Sequence, residues 1–377
     1  MSEIIYLDSA ASSLKPKSVI DAEVDFLANR YANAGRGICA RSVAVDKMVD
    51  SARARVAKFI NASTDNIVFT SGATDGLNRI VRMISESNLL NENMVAMVSD
   101  LDHHSARMPW QRAARRGDVR FAVCPLDSEF NLDICKMPRA DVFVITAMSN
   151  VLGRAQDVKK IISAARALNP DVVTIVDAAQ YIAHRSIDVA DWDCDFLCFS
   201  AHKIGADTGL GVMYVKEPEK WRPDKFGGGM VARIQAGPSA TDDIEWILAD
   251  GPARFEAGTL PLTQIAGLAP AIDYLESHRP NHRLIKYLHG ELSRIKGLTI
   301  LTKPDDALLT FVVDGMHCLD FGALMGARGV CLRVGNMCAT WMYNVLGYAG
   351  SIRISVGPWN TMDEMERVAD IINKIIK

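Results

Sequence analysis

The chain has 377 residues, 49% of them hydrophobic and 23% charged, with a formal net charge of −3 at pH 7. That length suits one or two α/β domains, and the near-balanced charge gives no reason to expect nucleic acid or anionic lipid as a partner. Met1-Ser-Glu-Ile-Ile lacks the basic and apolar regions of a secretory signal, and no run of ~18 apolar residues could span a bilayer, so a cytoplasmic protein is expected. Short apolar runs at 67–69, 94–98, 142–145, 172–176, 196–199 and 211–215 predict strands, and amphipathic stretches at 75–85 and 157–168 predict helices between them. This alternation predicts an α/β fold with a mostly parallel sheet covered on both faces. Further on, a helix at 265–276 leads to strands at 308–313, 330–333 and 352–356 and a terminal helix from Met362, which predicts a smaller α+β domain. The connection is not rich in Gly or Ser, so the two parts are expected to pack together.

Ligands of such sheets bind beyond the carboxyl ends of the strands, and four strand ends carry polar groups. After 67–69 comes Thr70-Ser-Gly-Ala-Thr-Asp-Gly76, a small-residue turn opening a helix; its free N–H groups suit a phosphate, or it is simply a capped helix start. Asp177 ends a buried strand in Asp177-Ala-Ala-Gln180. It must find a cation, a metal or a set of donors, unless it only caps a helix. Ser200-Ala-His-Lys203 ends the next strand, where a partly desolvated lysine becomes a competent Schiff-base amine; the alternative is an exposed lysine in a polar loop. Asp100-Leu-Asp-His-His-Ser105 invites a metal reading, but the further aspartate motifs of metal-dependent phosphoesterases are missing. Asp191-Trp-Asp-Cys-Asp195 has Phe196 where a calcium loop requires glycine. No metal site is expected.

Eight cysteines are scattered without a Cys-x-x-Cys pair, and Cys194 and Cys198 read as reduced core residues. Cys338 follows a short strand in Arg333-Val-Gly-Asn-Met-Cys-Ala339, close to a positive charge that a thiolate would use. Arg353 lies inside a β-branched run, either as a carboxylate clamp or as a structural ion pair.

In chain order the motifs Tyr6-Leu-Asp-Ser-Ala-Ala-Ser12, His103-His104 with Pro109-Trp110, Ser149-Asn-Val-Leu-Gly153, Asp177-Ala-Ala-Gln180, Ser200-Ala-His-Lys203, Phe255-Glu-Ala-Gly-Thr259 and Arg333-x-Gly-x-x-Cys-Ala339 resemble the class V aminotransferase group of fold-type I pyridoxal-phosphate (PLP) enzymes. Within it the chain resembles the SufS-type (group II, NifS-like) cysteine desulfurases. The resemblance implies a large PLP-binding domain over 14–278 and a small domain formed by 1–13 and 279–377. It implies that Lys203 carries the cofactor, Asp177 pairs with the pyridine nitrogen, Gln180 reaches the phenolic oxygen and His103 stacks on the ring. Asn150 would sit near the ring or the substrate carboxylate. Thr74, Ser200 and His202 would hold the phosphate, and Thr259 would reach that of a neighbouring subunit, which implies a homodimer. Arg353 and Arg333 would meet the substrate carboxylate. Cys338 would take sulfur from L-cysteine, giving L-alanine and a persulfide for a SufE- or SufU-like acceptor in iron–sulfur cluster assembly. A selenocysteine lyase acting on L-selenocysteine, or another enzyme of the group, is the alternative. Several positions depart from the family pattern: Gly35, Cys39 in Arg36-Gly-Ile-Cys39, Asp102, Asn336-Met337, and the proline-free turn Gly205-Ala-Asp-Thr. These departures are expected around the substrate mouth.

Overall fold

The computed structural model describes residues 4–35, 37–235 and 245–377. Its strands are β1 (Ile5–Tyr6), β2 (Ile67–Thr70), β3 (Val95–Ser99), β4 (Arg120–Cys124), β5 (Val142–Thr146), β6 (Val173–Asp177), β7 (Phe196–Ser200), β8 (Gly211–Val215), β9 (Val231–Gln235), β10 (Glu245–Leu248), β11 (Leu298–Ile300), β12 (Leu309–Val313), β13 (Val330–Cys331), β14 (Arg333–Gly335) and β15 (Ser351–Ile354). Seven form one sheet in the order β2-β8-β7-β6-β5-β3-β4. Only β8 runs against its neighbours; the contiguous β7-β6-β5-β3-β4 block is parallel throughout.

The apolar runs are continuous because both faces of this sheet are covered. Along β5, Val142 and Val144 enter one core while Phe143 and Ile145 enter the other, as the two-residue pleat requires. The first core is closed by helices Ala73–Glu86 and His104–Arg115, the second by Ala40–Ile60, Val158–Leu168 and Leu262–Ser277. Cys194 and Cys198 are buried free thiols, one in each core, and burial pushes Cys194 up to about 12.

A second, antiparallel sheet has the order β11-β12-β15-β14 and packs against helices His282–Leu292, Cys318–Gly326 and Met362–Ile376. Ile5 and Leu7 belong to this core, and β1 pairs in parallel with β13. The single strand expected at 330–333 is two: β13 pairs with β1, and β14 pairs with β15. The strand changes partner at Leu332, which no periodicity could reveal. The edge strand β4 and the β9–β10 hairpin also escape sequence reading, since both are largely exposed and lack a buried apolar run.

The Phe255–Glu256 motif residues have a structural task. Glu256 grips Arg53 from helix Ala40–Ile60 through two bonds of 2.9 and 2.8 Å and accepts the N–H of Phe69 in β2. Both charged side chains are nearly buried, at 10% and 5% exposed. Glu256→Gln would leave the guanidinium without its counter-charge, so we expect a loss of about 3–5 kcal/mol in urea unfolding.

Candidate active site

The carboxyl ends of β5, β6 and β7 open into a cavity of about 290 Å³, closed on the far side by β14, β15 and the loop that follows β14. Thr74, His103, Asn150, Asp177, Gln180, Ser200, His202, Lys203, Arg333, Cys338 and Arg353 all line it. Every site residue singled out from sequence converges here except Thr259, which is exposed and lies elsewhere.

Two adjacent parallel strands place the central pair. Asp177 is the last residue of β6; β7 ends at Ser200, and one short 3-10 turn, Ala201–Ile204, carries Lys203 inward. Burial lowers Lys203 to about 8, with the Asp177 carboxylate pulling it back up. Burial likewise raises Asp177, while the Ala179 N–H, 3.0 Å from Oδ1, and Lys203 oppose the rise. The other Asp177 oxygen and Nζ of Lys203 have no hydrogen-bond partner among the described residues. An aldehyde meeting this amine needs the neutral form, which is the minority below about pH 8. Capture of an aldehyde at Lys203, trapped by borohydride and counted by mass, should rise about tenfold per pH unit below that value and level off above it.

One wall is a cup formed where β2 turns into helix Ala73–Glu86. Gly72, at φ 151°, caps helix Ala73–Glu86, and the N–H groups of Thr74 and Asp75 in its first turn have no helical carbonyl to bond. Ser200 Oγ accepts the Ala73 N–H at 2.8 Å and so ties the cup to β7. Gly211 must be glycine, because a Cβ there would sit 2.4 Å from Gly72 Cα. His202 bonds Ser12 at 3.2 Å, and Gln180 donates to the Ala10 carbonyl at 2.6 Å, leaving its second amide hydrogen free. His103 caps helix His104–Arg115, with Nδ1 accepting the Ser105 N–H. Burial, with nearby positive charge, lowers His103 to about 4, so the ring is neutral at pH 7.

The opposite wall holds two arginines and the thiol. Arg333 and Arg353 stand directly opposed across β14 and β15, a repulsive arrangement on its own. Asp8 relieves it, accepting from Arg333 at 2.6 Å and Arg353 at 3.4 Å. Two cations against one carboxylate leave a net positive wall, suited to a substrate carboxylate. Nε of Arg353 and Oδ1 of Asn150 are buried without partners. Sequence reading gave Asp8 no role beyond its place in the opening motif; it lies two residues past β1, and its partners are more than three hundred residues away. Cys338 is exposed at the rim, and it and Met337 are consecutive non-glycine residues with positive φ, 53° and 51°.

The departures do not gather at the mouth as expected. Only Met337 among them lines the cavity. Asp102 is fully buried, accepting from Ser99 and from Thr146, whose side chain it steadies in the cavity lining. Gly35 and Cys39 belong to a segment outside the lining, Gly205 packs on Pro16, and Arg36 lies outside the described residues. Among the described residues no three His, Cys, Asp or Glu side chains gather as a metal site, and no helix is long and apolar enough to cross a membrane.

The sequence profile of the Aminotransferase class-V family matches residues 5–368. A cysteine desulfurase of Pectobacterium carotovorum subsp. carotovorum is 33% identical, the match covering 99% of this chain and 93% of that protein. A probable cysteine desulfurase of Vibrio cholerae is 32% identical over 99% of this chain and 94% of its own. Among solved structures, the apo cysteine desulfurase of Thermococcus onnurineus superposes with a TM-score of 0.92 at 28% identity, covering 99% of this chain and 94% of that one. The cysteine desulfurase CsdA of Escherichia coli gives a TM-score of 0.88 at 28% identity, with 98% and 94% covered.

Proposed function

The chain belongs to the aminotransferase class-V family, and from that premise we propose that it is a PLP-dependent cysteine desulfurase, taking sulfur from L-cysteine onto Cys338 and releasing L-alanine. The observation that carries this reading is the thiol of Cys338 on the same cavity as Lys203 and Asp177. Amino transfer alone has no use for a thiol there.

The residues present fit the cofactor. The unpartnered Asp177 oxygen matches a protonated ring nitrogen, Lys203 Nζ an aldehyde, the neutral His103 ring an aromatic face, and the cup of Thr74, Ser200 and His202 a phosphate. Bound PLP supplies an electron sink for breaking the Cα–H bond and then the Cβ–S bond of an amino acid. Asp177 holds the ring proton that makes the sink effective. With the cofactor bound, the Lys203 amine, lowered to about 8 by burial, would be the base that moves the Cα proton. Arg353, on the cavity wall, orients the substrate through its carboxylate. Cys338 attacks the substrate sulfur as a thiolate. An S–S bond forms, the C–S bond breaks with its electron pair returning to the carbon skeleton, and protonation of that skeleton yields alanine.

The same reading makes the enzyme SufS-like, with a division at 14–278 against 1–13 and 279–377. It works as a homodimer to which Thr259 of each subunit contributes, and passes sulfur to a SufE- or SufU-like acceptor in the cytoplasm. Intact mass spectrometry after L-cysteine should show one added sulfur per chain, on the peptide containing Cys338. Alanine release with no sulfur on any thiol would overturn the proposal.

A further inference from the structure

The loop that carries Cys338 is joined to a helix more than two hundred residues away in sequence. His104, the first residue of helix His104–Arg115, donates its backbone N–H to the Cys338 carbonyl at 2.8 Å. Its ring Nε2 accepts the Thr340 N–H at 3.3 Å and lies 3.0 Å from Thr340 Oγ1. Accepting an N–H requires Nε2 to be unprotonated. The neighbouring Trp341 ring is edge-on to His104, centroids 5.1 Å apart, and Arg107 one turn further along lies 4.3 Å over the same indole. Arg107 is itself fixed by Asp100 at 2.6 Å and the Ser99 carbonyl at 3.1 Å. Trp341 is thus held between two side chains of one helix face.

These contacts surround a strained backbone. Consecutive left-handed residues without glycine are strained and persist only where their surroundings over-determine them. Asn150 Nδ2 on the Met337 carbonyl at 2.7 Å and the Cys338 N–H on Asn336 Oδ1 at 3.2 Å complete the restraint. The residue before His104 is His103, the helix cap facing the cavity. One helix end therefore serves as reference for both the ring-facing imidazole and the thiol-bearing loop.

We propose that His104 and Trp341 are positioning residues that lock the Cys338 loop to the helix capped by His103, fixing the distance from thiol to substrate sulfur. The inference rests on the desulfurase reading for its catalytic consequence, but not for the clamp itself. Neither side chain lines the cavity, so each acts through Cys338.

The test uses the holoenzyme and the variants His104→Ala, Trp341→Ala and Trp341→Phe. Single-turnover sulfur loading from L-cysteine should fall about 10–100-fold in both alanine variants, the scale expected for a nucleophile displaced by an ångström. Exchange of the Cα hydrogen of L-alanine in deuterated water, which uses Lys203 but not the thiol, should stay within about twofold. Trp341→Phe should recover most of the loading. Backbone amides across 336–346 should exchange faster with solvent in the alanine variants than in the parent. Unchanged amide protection, loading kept within twofold, or loading and Cα exchange falling together would each overturn the proposal. A parent enzyme that exchanges the Cα hydrogen yet loads no sulfur would defeat the desulfurase reading, and amide exchange would still decide the clamp.

Discussion

Cys338→Ala should bind PLP normally, exchange the Cα hydrogen of amino acids, and form no persulfide from L-cysteine. Alanine keeps the Cβ, so the left-handed backbone at φ 53° is no more strained than before. The loop contacts use main-chain atoms of Cys338, its carbonyl toward His104 and its N–H toward Asn336, and survive the change. What disappears is the only thiol among the cavity-lining residues. Sulfur loading should fall by at least about 10³-fold, more than about 4 kcal/mol of transition-state stabilisation. Cα exchange should remain within a few-fold of the parent. Sulfur transfer that persists in this variant would assign the nucleophile elsewhere.

Under the proposed function Lys203→Ala should be broader in effect, since that lysine would supply both the covalent hold on the cofactor and the base that moves the Cα proton. The variant should lose the yellow colour of covalently held PLP, and Cα exchange and sulfur loading should both drop by about 10³-fold or more. Lys203→Arg separates charge from chemistry. It restores a cation near Asp177, yet a guanidinium does not give up its proton, so the variant should stay inactive while regaining fold stability. The pH profile separates the roles further. Lys203 in the unliganded protein is protonated below about 8, so cofactor capture weakens on acidification, whereas His103, lowered to about 4, stays neutral over the whole range. Equal capture at pH 6.5 and 8.5 would contradict a lysine held near 8.

The strand-end reading found Asp177 and Lys203 because a covered parallel sheet leaves two local marks, an unbroken apolar run and a polar residue closing it. Neighbouring strands of such a sheet end on one side, so two closing residues share one mouth. The sheet core, the cup after β2 and the helices flanking it were legible for the same reason. Asp8, which reconciles Arg333 with Arg353, stands more than three hundred residues from both, and no local pattern announces the pairing. The site's second wall depends on three separate segments: β1, the β14 loop, and β15.

Sequence alone therefore determined the class of chemistry, through the ordered motifs that resemble the family together with residue type and strand-end position, all local properties that survive any arrangement of the distant parts. Only the tertiary structure decided how the C-terminal sheet closes over the cavity, where the departures from the family lie, and what holds Cys338 in place. Those depend on contacts between residues far apart along the chain, whose partners are chosen by packing and charge compensation in three dimensions.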